Sequence, residues 1–381
     1  MTCPVCGGGR LVETVRRERL PAMQNYVHRT RESALSAAEG SLVLAVCRTC
    51  GFAWNVRFDP GLFSYDDNYD NAVPSAVMRD YYGEIASYLV ERYDPGDGLV
   101  LDVGCGDGTL LRMLLELAPA ARGLGVDPAL AASSREGRLE LVKDVFSPEL
   151  IDETPALVVS RHVLEHIAQP VEFVRLISAA AAPGFFEVPD LEWIVEHKTF
   201  WDFCYEHCNY FTPVSCSRLL AAAGLEPVRS RTAFGDQYLW LEARPGDART
   251  EDEGEETAER LLRYAEEESA RIAAARQLLE RNRSSVSATV VWGMATKGVM
   301  FVLLTDPGAS LVDACVDVNP NKQGCYVPLT GHPIQAPEAL RALERPLTVL
   351  VMNENYRAEI ERTCAGLGLE ATVTTAEAQM T

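Results

Sequence analysis

Leu99-Val100-Leu101-Asp102-Val103-Gly104-Cys105-Gly106-Asp107-Gly108 decides the fold of this chain. An apolar run broken only by Asp102 reads as a buried strand. Three glycines at alternate positions then turn the chain sharply, because a residue without a Cβ can reverse direction and let a ligand approach its backbone. Thr109 to Leu117 follows as a helix. Strand, glycine turn and helix together are the nucleotide-binding start of a doubly wound α/β unit. A dinucleotide would place its pyrophosphate at the helix start. The acid at the strand end favours S-adenosylmethionine (SAM) instead, whose ammonium and sulfonium need acceptors. Gly104, Cys105, Gly106 and Asp107 form the turn and Asp102 stands beside it.

Working outward, a second strand, Gly123 to Val126, ends in Asp127, placed to accept ribose hydroxyls. Val142 to Val145 reads as a third strand end, with Asp144 where an adenine amino group would lie. Ala156 to Ser160 is a fourth strand. It runs into Arg161-His162-Val163-Leu164-Glu165-His166 and a helix from about Pro170. His162 and His166 flank that strand end and are read as shaping the cofactor pocket. Upstream, Val77, Tyr81, Ile85, Tyr88 and Leu89 recur at helical spacing and predict a helix over residues 74–93. Alternating strands and helices imply a parallel sheet.

Two cysteine pairs precede this unit, Cys3-Pro4-Val5-Cys6 and Cys47-Arg48-Thr49-Cys50. A two-residue gap lets both thiolates reach one ion, and four thiolates suit a tetrahedral, structural Zn²⁺ with no open position. The stretch between the pairs is long enough to carry its own hairpin or helix.

Beyond the core lies an aromatic block, Trp193 to Phe211, then a helix over 212–223 and a strand over 237–243. Residues 246–256 are polar and acidic and read as a mobile linker, followed by a connecting helix over 259–282. A second glycine turn then follows a strand: Thr289-Val290-Val291-Trp292 opens Gly293-Met294-Ala295-Thr296-Lys297-Gly298. This is the context of a phosphate-binding turn. Gly293, Thr296 and Lys297 are candidate contacts to a diphosphate, and Asp317, ending the strand predicted over 311–318, a candidate ribose contact. A further strand is predicted over 347–352. A nucleotide-diphosphate sugar fits these positions. NAD(P) or a purely structural second unit are the alternatives.

The expected architecture is α/β: two Rossmann-like doubly wound units plus a small N-terminal zinc-binding domain. Its segments are a zinc domain over 1–60, a SAM domain over 61–245, a linker and helix over 246–283, and a nucleotide-binding domain over 284–381. With 35 basic and 55 acidic residues the formal charge is −20, which disfavours a nucleic-acid polymer as partner. No apolar run reaches the length of a membrane span, and residues 1–30 lack a signal-peptide pattern. A cytoplasmic monomer or small homo-oligomer is the expectation.

Taken in order, these pieces resemble the sugar C-methyltransferases of deoxysugar biosynthesis. The resemblance rests on Cys3/Cys6/Cys47/Cys50, Asp102–Gly108, Arg161–His166, Glu206-His207-Cys208-Asn209-Tyr210-Phe211, Gly293–Gly298 and Asn319-Pro320-Asn321-Lys322-Gln323-Gly324. It implies methylation of the carbon beside a ketone in a nucleotide-linked keto-deoxysugar, with His207 as base, Glu206 beside it, and the C-terminal domain holding the nucleotide. A carbon acid needs such a base and donors to its developing oxyanion; Tyr205, Tyr65, Tyr69 and Asn209 are the candidate donors. The family places tyrosine two residues before the glutamate. Here that position is Cys204, with Tyr205 shifted by one. O- or N-methylation of another acceptor, and a non-catalytic scaffold binding SAM or a nucleotide sugar, are the other readings.

Overall fold

A computed structural model describes residues 1–63, 68–72, 74–248, 253–283 and 286–380. Tyr65 lies outside the described residues. The first sheet begins with β1 (Leu11–Pro21), continues after a short helix α1 (Arg31–Leu35), and adds β2 (Glu39–Cys47) and β3 (Ala53–Asn55). β1 and β2 pair antiparallel, with Leu11 opposite Cys47 and Pro21 opposite Glu39. The long stretch between the cysteine pairs therefore doubles back and returns the second pair to the first.

The central unit follows as α2 (Ala76–Tyr93), β4 (Leu99–Val103), α3 (Thr109–Leu117), β5 (Arg122–Val126), β6 (Ser134–Glu136), β7 (Leu139–Val142), β8 (Leu157–Arg161), α4 (Pro170–Ser178), β9 (Gly184–Pro189) and α5 (Leu191–His197). Next come β10 (Asn209–Tyr210), α6 (Pro213–Ala222), β11 (Leu225–Ala233) and β12 (Tyr238–Pro245). The sheet order is β11-β12-β9-β8-β4-β5-β7-β6. Its middle is parallel, with antiparallel edges from β12–β11 and β6. β4 meets β5 on one side and β8 on the other, so the chain reverses its winding there. A crevice opens at the carboxyl ends of such strands. All five β4 residues are buried, which accounts for an apolar character interrupted only by Asp102.

β10 does not join this sheet. It pairs with β3, with Asn209 opposite Trp54 and Tyr210 opposite Ala53. The aromatic block is thus clamped to the N-terminal sheet, and Phe203, Cys204 and Tyr205 are buried in one cluster with Leu42, Leu44 and Val46 of β2. A capping box then starts α6 at once: Ser215 N donates to Thr212 Oγ1 at 3.1 Å, and Thr212 N to Ser215 Oγ at 2.9 Å. Such a cap contributes about 1 kcal/mol.

The connecting helix α7 spans Gly254–Arg283, five residues earlier than the sequence pattern predicts. Its first turn docks on the second cysteine pair. A Cβ at Gly254 would lie 2.2 Å from Gly51 N and 2.6 Å from Cys47 O, so only glycine fits, and Arg48 pairs with Glu255 and Glu259. Residues 254–256, expected as mobile linker, are therefore helical because the knuckle holds them.

The third sheet contains β13 (Ala288–Trp292), β14 (Ala314–Val316), β15 (Ile334–Gln335), β16 (Leu347–Val351) and β17 (Ala371–Thr375), with α8 (Thr296–Thr305) after β13 and α9 (Arg357–Gly366) before β17. Its order, β15-β14-β13-β16-β17, is wholly parallel. This is the second doubly wound unit. No helix among the described residues is long and apolar enough to cross a membrane.

Candidate active site

The glycine turn after β4 is built for close approach. Gly104 has φ +80°, and a Cβ there would meet Val163 Cγ2 at 2.2 Å. Gly106 has φ +55° with open space around its missing Cβ, and its N–H donates to Asp127 Oδ2 at 2.8 Å. Asp107 caps α3 by accepting from Thr109 N at 2.9 Å. Cys105 lies half-buried with its Sγ against Gly125, where a Cβ would come within 2.7 Å.

Acids surround this turn. Asp102 is buried at the end of β4, and burial pushes its carboxyl up to about 7, with Asp127 adding to the rise and Arg161 opposing it. Asp127 accepts from Ala129 N at 2.8 Å, and burial raises it too. Asp144 is exposed and bonded to Val145 N. The Val145 side chain is 66% exposed, an apolar surface beside an acid where a purine ring would lie. Asp102 and Asp127, both reluctant to ionise, an open glycine and an uncovered valine suit a cationic adenosyl group.

His162 adopts φ +53°, which costs a non-glycine residue strain. The reason is visible in its partners. Nδ1 meets Glu165 Oε1 at 3.2 Å and Nε2 meets Glu187 Oε1 at 2.7 Å. Burial opposes its charge, yet the two carboxylates win and raise it to about 9. Glu187 also takes Arg161 at 2.8 Å, Tyr81 Oη at 2.6 Å and Trp240 Nε1 at 2.6 Å. Burial would raise Glu187, but Arg161 and His162 hold it near 2.

The turn Leu164–His166 points toward the aromatic block. His166 Nδ1 donates to the Glu206 carbonyl at 3.0 Å, and its ring lies edge-on to His207 with centroids 4.9 Å apart. His207 is half-buried. Burial, then His166, His162 and Lys297, lower it to about 3 against the pull of Glu165. Its lone pair is therefore available across the physiological range. Glu206 is buried and accepts from Tyr69 Oη at 2.6 Å and from Gln24 N at 3.2 Å. The structure thus brings His207, Glu206 and Tyr69 together with His162 and His166.

Two expected donors go elsewhere. Tyr205 is fully buried, accepting from Asp59 N at 2.7 Å and stacking on Phe63. The chain bends at Tyr205 and Glu206, and the Tyr205 ring turns into the core beneath the N-terminal sheet. Asn209 is also buried, and its Nδ2 donates to Leu164 O at 2.8 Å and Ile167 O at 2.7 Å. It pins the turn that carries His166.

The C-terminal turn faces this cluster. Gly293 has φ +96°, and a Cβ at Gly298 would lie 2.0 Å from Gly293 O, so both glycines are required by the turn. Asp317 accepts from Met294 N at 2.7 Å and from Asn319 N at 2.8 Å. Asn25 reaches the Thr296 hydroxyl at 3.5 Å. Lys297 leans into the central unit, 2.9 Å from Asp202 and 3.2 Å from Gln237 Oε1, over the Trp193 ring.

Residues the sequence reading did not single out complete the interface. Lys322 is buried and donates to Asn25 Oδ1 at 2.8 Å and Met294 O at 3.3 Å. Burial lowers its ammonium below the usual range, while Asp317, Asp70 and Glu206 favour its charge. Gln237 and Asn353 exchange two amide hydrogen bonds at 2.9 Å. The one sequence signal was the Asn-Pro-Asn-Lys run; the amide pair joins segments 116 residues apart and carries no local pattern.

The four cysteines converge. Cys3 and Cys50 sulfurs are 3.6 Å apart, as are those of Cys6 and Cys47, and all four lie within 4.8 Å of one another. Gly8 N donates to Cys6 Sγ at 3.4 Å, and backbone N–H groups of Val5 and Cys6 reach Cys3. Buried sulfurs ringed by amide donors suit thiolates on one ion.

The Methyltransferase domain family matches residues 77–230, and the C-methyltransferase C-terminal domain family matches residues 248–369. The C-methyltransferase NovU of Streptomyces niveus is 27% identical, aligned over 94% of this chain and 90% of that protein. An ubiquinone biosynthesis O-methyltransferase of Methylobacterium sp. (strain 4-46) is 36% identical over 24% of this chain and 40% of its own length. Among solved structures, magnesium protoporphyrin IX methyltransferase of Synechocystis PCC 6803 is 16% identical, with 47% of this chain and 91% of that one covered at a TM-score of 0.36. With a methyltransferase domain followed by a C-methyltransferase C-terminal domain, the chain is a SAM-dependent methyltransferase.

Proposed function

We propose that this enzyme methylates the carbon beside a ketone in a nucleotide-linked keto-deoxysugar. The carrying observation is the convergence on His207 of the turn bearing His166 from the SAM unit and of Lys297 from the C-terminal turn. SAM, held by Asp102, Gly104, Cys105, Gly106, Asp107, Asp127 and Asp144, would supply an activated methyl group. His162 is a positioning residue for that pocket.

His207 takes the α-proton in this reading. A neutral imidazole can accept it, and the nearby Glu165 carboxylate favours the cation that forms. Lys297 opposes that cation. A diphosphate drawn onto Lys297 would remove the opposition and so raise the basicity of His207 when substrate is present. Gly293 and Thr296 would line the same diphosphate, and Asp317 the ribose side. Tyr69, whose hydroxyl donates to Glu206, would turn that proton from the carboxylate to the developing oxyanion. Cys3, Cys6, Cys47 and Cys50 would hold a structural Zn²⁺ that ties the first sheet to α7.

Proton exchange in D₂O, followed by NMR on thymidine-diphosphate keto-deoxysugars with the demethylated cofactor present, tests the reading. Exchange beside the ketone that His207→Ala abolishes, with SAM binding intact, is the expected result. Exchange unchanged in His207→Ala would remove His207 as base, and exchange with no sugar would point to O- or N-methylation.

A further inference from the structure

We infer that Glu165, His166 and His207 form a second metal site, for a divalent transition-metal ion that competes with the substrate proton for His207. The competition rests on His207 being the base; the site itself does not. Each residue offers one ligand atom, and the three atoms lie within 4.8 Å of one another.

Three independent features point to a cation. Glu165 is 1% exposed, and its Oε2 has no hydrogen-bond partner. A buried carboxylate oxygen left bare is costly, and an ion removes that cost. His166 donates its Nδ1 proton to the Glu206 carbonyl at 3.0 Å, which leaves Nε2 as the ring atom to offer a metal. A backbone carbonyl behind an imidazole is the usual support of a ligating histidine. Finally, the site is rigid: Asn209, two residues after His207, ties the Glu165–His166 turn to β10 through two bonds, at 2.8 and 2.7 Å.

Two imidazoles and one carboxylate suit Zn²⁺, Co²⁺ or Ni²⁺ over Mg²⁺ or Ca²⁺. Metal bonds of about 2.0–2.2 Å require only rotamer-scale contraction of the three donors. Three protein ligands leave a position open to water or to a substrate oxygen. His162 and Lys297 oppose a cation here, so this site binds more weakly than four thiolates. The competing occupant is a water on Glu165 Oε2, which would leave the metal without a claim.

The test uses full-length protein with its four-cysteine site loaded with zinc, titrated with Co²⁺. One Co²⁺ per chain should bind, with visible d–d bands and no thiolate-to-cobalt charge transfer. Its affinity should fall at least tenfold in both His166→Ala and Glu165→Gln, with zinc content and melting temperature measured to exclude unfolding. No uptake, uptake equal in both variants, or bands carrying thiolate charge transfer would overturn the site. Saturating Co²⁺ should also stop the His207-dependent proton exchange, and removing it by gel filtration should restore the exchange. Exchange persisting with Co²⁺ bound would overturn the competition. Cobalt uptake by a wild type that shows no exchange would refute the base and leave the site; exchange without uptake would do the reverse.

Discussion

Lowering the pH should weaken SAM binding through Asp102, and the size of the effect follows from the structure. Burial, reinforced by Asp127 and resisted by Arg161, holds the Asp102 carboxyl near 7. The cofactor carries positive charge and binds the ionised carboxylate, so binding pulls that group down and affinity depends on the fraction already ionised. The sign is therefore fixed: affinity is full above pH 7 and lost as pH falls through it. Each unit below 7 costs a factor approaching ten, or about 1.4 kcal/mol. Relative to pH 7.5, the Kd should be about eightfold higher at pH 6 and about twenty-five-fold higher at pH 5.5. Three neighbouring groups keep their state in this window. His162, near 9, stays cationic, Glu187, near 2, stays anionic, and His207, near 3, stays neutral. Asp127 is raised as well and acts in the same direction, so Asp127→Asn separates the two. Calorimetry at the three pH values, with circular dichroism to verify folding, reads the effect. Asp102→Asn should bind weakly at pH 7.5 and lose the slope. A wild-type change below about threefold, or a slope retained in Asp102→Asn, would refute the argument.

Three further outcomes are expected. Cys50→Ser should lower bound zinc below one per chain by elemental analysis and lower the melting temperature, since the knuckle also seats Gly254 of α7. Lys297→Ala should weaken a nucleoside diphosphate by about ten- to a hundredfold in calorimetry, the range of a charge-assisted hydrogen bond. Unchanged affinity would mean that Lys297 serves only its pair with Asp202. Arg17 is buried and bonded to Glu268 at 2.6 Å and to the carbonyls of Phe200 and Phe203 at 2.7 and 2.5 Å. Arg17→Ala should cost about 3–5 kcal/mol in urea unfolding, because it strands a buried carboxylate and two carbonyls.

What the sequence made legible was whatever repeats locally. Thr109–Leu117 and the start of α4 at Pro170 are read correctly because apolar spacing and a strand-end glycine turn are short-range signals. β11 escaped because Leu225 is its one buried residue and Val228, Arg229 and Ser230 are exposed, so no apolar run marks it. β10 escaped for the opposite reason: its partner β3 lies about 150 residues earlier, and no window along the chain contains both. The site repeats this division. Asp102, Asp127 and the cysteines sit in motifs, so type and spacing name them. Tyr205 and Asn209 stand in an equally suggestive motif, yet the β10–β3 pairing buries Asn209 and the bend before it buries Tyr205, while His207 is left half-buried beside His166. Lys322 shows the converse, since a lysine in a turn is ordinarily solvated and only the third sheet's packing on Asn25 buries it. The pairing that the sequence hides is thus the one that buries Asn209 and pins the turn bearing His166 beside His207. A one-residue slip of β10 would exchange the faces of Asn209 and Tyr210 and release that turn, which is why the N-terminal sheet, remote from the SAM turn in sequence, helps seat His166 against His207.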